Sequence, residues 1–109
     1  MSTYKIALIG DSSTVLGFAA GGVTGYAAQQ SQEALEKLRE FVSSKEYAII
    51  LITETLAEPI VKDIAGIETG SIPSIIIVPD QGGAKGIGFE KIRLSVERAL
   101  GIDLLGKTD

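Results

Sequence analysis

Three short runs of consecutive apolar residues, each bounded by turn-forming residues, constrain this chain more than any other feature: KIALIG at 5–10, AIILIT at 48–53 and IPSIIIV at 72–78. A strand with one wet face alternates apolar and polar residues. These runs do not alternate and are rich in isoleucine, so they predict strands covered on both faces, as in a parallel sheet. Residues 22–28 offer a weaker fourth strand.

Helical patterns separate the runs. In SQEALEKLREFVSS, residues 31–44, Leu35, Leu38 and Val42 recur at helical spacing with Ala34 and Phe41 beside them. Ser31 is placed to cap this helix, and Glu33 with Lys37 forms a favourable i,i+4 pair. A shorter helix over residues 12–20 follows the first strand, capped by Asp11 or Ser12 and closed by Gly21 and Gly22. After the second run, Thr55 and Glu58 fit a capping box ahead of Ile60 and Ile64. Pro59 then falls in the first turn, and Gly66 is the stop. The alternation predicts an α/β fold, a four-stranded, mostly parallel sheet with helices on both faces, over residues 1–78.

Beyond it the composition changes. Residues 79–88, PDQGGAKGIG, hold Gly82, Gly83, Gly86 and Gly88 and predict a flexible linker. Residues 89–109 then carry one more amphipathic helix and a tail. Phe89, Ile92, Val96, Leu100 and Leu104 form its apolar stripe, while Glu90, Lys91, Arg93, Glu97 and Arg98 occupy most of the remaining surface. Doubly wound sheets usually return a helix through about 2–6 residues. The longer glycine-rich connection therefore leaves two readings open, a helix packed on its own sheet or one that gives its stripe to another protein.

Composition removes whole classes of function. With 14 acidic and 10 basic residues the net charge is −4, which argues against nucleic acid as a partner, because phosphate binding needs concentrated Lys and Arg. The chain contains neither Cys nor His. Disulfides, thiolate metal sites, the commonest general base and His-dependent triads are thereby excluded. No apolar run approaches the roughly 20 residues that span a bilayer, and no signal segment precedes the first strand, so the expectation is a cytoplasmic protein with no direct membrane insertion.

The first strand ends in GDSSTVLG, where helix N–H groups and hydroxyls could hold an anion. The motif lacks the three glycines of a dinucleotide fingerprint and the lysine of a P-loop, and Asp11 or Ser12 acting only as a cap explains it equally well. A phosphoacceptor receiver domain would require an acidic pair after the first strand, an Asp after the third run and a later Lys. Here Asp11 stands alone, Thr53 and Glu54 replace the phosphorylated residue, and no fifth strand follows. Asp11, Glu54 and Asp80 all follow strand ends, the edge where α/β sheets bind ligands. Nothing marks one of them as a tuned acid or base, and they bind a metal only if their loops converge. No cofactor is expected. A small-molecule- or phosphate-binding α/β domain using these turns stays open as the alternative, as do a receiver-like module without its phosphoacceptor and a module that self-associates through the last helix.

Taken together, I-G-D-x-x-T-V-x-G-F at 9–18, I-L-I-T-E at 50–54 and I-P-x-I-I-x-V-P-D at 72–80 resemble the F subunit of archaeal and vacuolar-type rotary ATPases, which some bacterial complexes call their G subunit. The resemblance covers nearly the whole chain. It implies a four-stranded α/β domain followed by a mobile C-terminal helix, without catalytic residues, joined to the coiled coil of the D subunit in the rotating central stalk. It further implies contacts to the A/B catalytic ring and the stalk base, regulation of ATPase activity by the helix, and a place beside the membrane in the cytoplasmic sector. On this resemblance Phe89, Ile92, Arg93, Val96 and Leu100 would form the partner interface, and Gly82, Gly83, Gly86 and Gly88 the hinge.

Overall fold

The computed structural model describes residues 4–19 and 21–80. Of the linker expected over residues 79–88 only Pro79 and Asp80 are described, and the last helix lies outside the described residues. Four strands, β1 (Lys5–Gly10), β2 (Thr24–Ala27), β3 (Tyr47–Thr53) and β4 (Ser74–Val78), form one sheet in the order β2-β1-β3-β4. All three pairings are parallel. Helix α1 (Ser12–Ala19) connects β1 to β2, and α2 (Ser31–Ser44) connects β2 to β3. Between β3 and β4 the chain makes α3 (Glu54–Ala57), a 3-10 turn (Glu58–Ile60) and α4 (Val61–Ala65).

The apolar runs explain the layering. Because side chains alternate across a strand, Ala7 and Ile9 of β1 join Ile50 and Ile52 of β3 on one face. That face is covered by Ala34, Leu35, Leu38 and Phe41 of α2, with Leu56, Ala57 and Ile60 beyond them. Leu8 and Leu51, paired in register, occupy the opposite face with Val23, Val78 and Phe18 of α1. The central strands β1 and β3 are therefore covered on both sides, as their sequences predict. β4 departs from that expectation: Ile76 and Ile77, on opposite faces, are 43% and 42% exposed. Its place at the end of the strand order explains this, since an edge strand has a neighbour on one side only.

Local details differ from the sequence reading where side chains found better partners. Gln30, not Ser31, is the N-cap of α2, and it makes no side-chain cap bond. The Glu33 carboxylate instead accepts from the Gln29 N–H at 3.1 Å and the Tyr26 hydroxyl at 2.8 Å. Those bonds draw Glu33 away from Lys37, whose ammonium pairs with Glu40 at 2.6 Å and lies 4.8 Å over the Tyr26 ring. The expected Thr55–Glu58 capping box is also replaced: α3 already begins at Glu54, with Thr53 as N-cap, and Pro59 sits in the 3-10 turn that follows. Gly66 does end α4, as expected.

Gly10 is required by packing. A Cβ built there would lie 2.7 Å from the Thr53 Cγ2, well inside contact distance. Thr53 is buried and β-branched, so it has few alternative rotamers. Gly10→Ala is expected to cost about 1–3 kcal/mol, the usual cost of overpacking. In urea denaturation the loss should be smaller when Thr53→Ala removes the obstructing methyl. An equal loss in both backgrounds would show that the close approach is not the cause.

Candidate interaction site at the strand ends

Helix α1 leaves β1 on one face of the sheet and α3 leaves β3 on the other, so a crevice opens between their first turns. This is the position where open α/β sheets place ligands. A cleft of about 830 Å³ lies there, lined by Asp11 and Ser12 after β1, residues 27–29 from the end of β2, residues 53–56 from the end of β3, and Asp80 after β4. The three carboxylates that the sequence placed at strand ends, Asp11, Glu54 and Asp80, therefore converge on one cleft. Among the described residues no lysine or arginine lines it.

Their local roles differ. Asp11 caps α1: its Oδ1 accepts from the Thr14 hydroxyl at 2.6 Å and its Oδ2 from the Thr14 N–H at 3.2 Å. Burial is the largest single influence and acts against its charge, but these bonds, with the Asp11 and Ser13 N–H groups, together outweigh it. The carboxyl is held below its ordinary range. Its folded-state value thus lies below the unfolded one. The stabilisation is present above the unfolded carboxylate range, near about pH 4, and is lost as pH falls through the lower folded value. Asp11→Ala should cost about 1 kcal/mol near pH 7, and the difference from the native chain should shrink as the pH is taken from there to below about 4. Urea midpoints at the two ends of that range check this; a gap that widens in acid would contradict the assignment.

Glu54 is the first residue of α3, whose N-cap is Thr53. Asp80 does more than turn the chain, because its Oδ1 accepts from the Thr55 N–H at 3.5 Å and so serves α3 from a distance of 25 residues in sequence. Sequence reasoning missed that tie and the approach of residues 27–29. Both depend on which strands are neighbours, which no local pattern encodes. Thr53 is almost fully buried at the floor of the cleft, with its methyl toward Gly10.

The arrangement offers acceptors without a nucleophile and base in a pair. Among the described residues no group of three carboxylates could hold a metal ion. None of their helices is long and apolar enough to cross a membrane. Phe89, Ile92, Arg93, Val96 and Leu100, with Gly82, Gly83, Gly86 and Gly88, lie outside the described residues.

Comparison with known proteins decides the family. Residues 6–96 match the family profile described as ATP synthase (F/14-kDa) subunit. The chain belongs to this family. It is 41% identical over 106 residues to the F subunit of the A-type ATP synthase of Thermococcus kodakarensis, covering 92% of this chain and 97% of that one. It is 36% identical over 102 residues to the F subunit of the V-type ATP synthase of Fusobacterium nucleatum, covering 94% and 96% respectively. The A-type counterpart from Pyrococcus furiosus is 38% identical over 105 residues, covering 92% and 97%. The resemblance seen in the three motifs therefore holds at the level of the family. Its members are structural components of V/A-type ATP synthases rather than their catalytic subunits, so this chain works within a complex of partner subunits. The matched region contains all but the first residue of the sheet and the first eight residues of the amphipathic segment beyond it.

Proposed function

We propose that this chain is a non-catalytic rotor component in the central stalk of a V/A-type ATP synthase. In this reading it binds the coiled coil of the D subunit and helps couple ion transport to ATP synthesis or hydrolysis, on the cytoplasmic side of the membrane. The observation that carries it is the match over residues 6–96 to the F/14-kDa family, with relatives of nearly the same length. An α/β domain without His or Cys and an amphipathic stripe beyond a glycine-rich linker fit a part that transmits force better than one that performs chemistry.

The division of labour follows from the sequence. Residues 1–78 form the folded body, and residues 79–88 act as the linker, with Gly82, Gly83, Gly86 and Gly88 as its hinge. Residues 89–109 present Phe89, Ile92, Arg93, Val96 and Leu100 to the D subunit, with the A/B ring and the stalk base as further contacts. Movement of this segment would modulate ATPase activity. A test mixes the purified chain with an A/B ring and the D subunit, then follows co-elution and ATPase rate. A stable complex with an altered rate is expected; no complex and an unchanged rate would refute the reading. Nucleotides, phosphate and Mg²⁺ should leave the melting temperature of the isolated chain unmoved. A true ligand at 100 times its Kd would stabilise it by about 2.7 kcal/mol.

A further inference from the structure

We infer that the cleft at the strand ends is a docking site for an arginine side chain presented by a neighbouring protein of the complex. Among the described residues its charge is one-sided: Asp11, Glu54 and Asp80 line it, and no lysine or arginine does. The second observation is Thr53. This residue is 1% exposed, and its hydroxyl makes no hydrogen bond among the described residues. Yet among those residues no fully occluded side-chain oxygen is left without a partner. The hydroxyl therefore keeps an opening. Its methyl branch is turned toward Gly10, and the space Thr53 lines is the cleft. Almost all such groups are hydrogen-bonded, to protein or to water, so this hydroxyl is left to water or to a donor that enters the cleft. A guanidinium N–H would take that place.

The shape of the site selects the donor. The carboxylates do not cluster tightly enough to hold a metal ion, but they border one open space large enough for a side chain and its adjoining backbone. A guanidinium carries five donors in a planar fork and can serve several separated acceptors at once, whereas an ammonium is a compact point charge. Ala27, Ala28 and Leu56 supply an apolar wall for the methylene stem. Family membership supplies neighbouring subunits, and the inference holds whichever of them presents the arginine.

The test titrates the full, isotopically labelled chain with acetyl-Gly-Arg-Gly-amide and with its lysine and citrulline counterparts, reading backbone amide shifts by NMR. Saturable shifts at Gln29, Thr53, Glu54 and Thr55 are expected with the arginine peptide, weaker ones with lysine and none with citrulline. Asp80→Asn should weaken the arginine peptide about threefold to fivefold, the effect of one exposed charge pair. Thr53→Val, which keeps the shape and removes the hydroxyl, should also weaken it. The inference is overturned by no saturable shift, by shifts spread over the remote carboxylates Glu36, Glu40 and Glu46, or by equal binding of the lysine or citrulline peptide. Because only the free chain is used, a failure here leaves the rotor reading untouched, and the converse also holds.

Discussion

Phe18→Ala is expected to remove about 3–5 kcal/mol of stability, as deleting a buried aromatic ring usually does. Against a total of about 5–15 kcal/mol for a domain of this size, that leaves a marginal fold. The reason lies in the shortness of α1, which has eight residues and buries only Thr14 and Phe18. Phe18 is 1% exposed and fills the face that also holds Leu8, Val23, Leu51 and Val78. Without the ring, α1 keeps one small buried side chain and the Asp11 cap. Leu16 on the same helix is the control, because it is 74% exposed and Leu16→Ala should change stability by no more than about 0.5 kcal/mol. A urea midpoint for Phe18→Ala within that smaller range would show that α1 is not what closes this face.

The second large effect is on assembly. Replacing both Ile92 and Val96 with Asp should abolish or severely weaken the complex with the D subunit, while the melting temperature of the isolated chain falls little. The two residues lie four apart on the apolar stripe, so two carboxylates would enter the contact together. Burying a charge without a partner is far more costly than losing apolar area. The sheet itself is supported elsewhere: its central strands are covered by α1 on one side and by α2 and α3 on the other. Equal damage to binding and to stability would instead mean that the stripe packs on its own sheet.

How much was legible beforehand follows from how local each feature is. The strands β1 and β3 were plain in the sequence because covered strands leave unbroken apolar runs, and α2 was plain because its stripe has one period throughout. The edge character of β4 was hidden: SIIIV reads as a fully covered strand, and only the strand order reveals that one side lacks a neighbour. The Glu33–Lys37 pair failed because Tyr26, from the adjacent β2, competes for Glu33. At the strand ends, the identity of the three acidic residues was readable, and so was Asp11 as a cap. Their convergence on a single cleft was not, since it depends on β2 lying beside β1 and β3 beside β4. Thr53 was visible in the sequence only as part of a motif and of a strand-end turn, with nothing to mark its hydroxyl. Its importance rests on its burial and on a hydroxyl that makes no cap bond to α3, both properties of the fold.

The central claim is that residues beyond the sheet join this chain to the D subunit. The most direct measurement compares how tightly residues 1–80 and the full chain each bind that coiled coil, with the fold of both checked by circular dichroism. Residues 1–80 should remain folded, bind far more weakly than the full chain and no longer change the ATPase rate of the reconstituted complex. A folded 1–80 fragment that binds and acts like the full chain, or a fragment that unfolds, would contradict the claim.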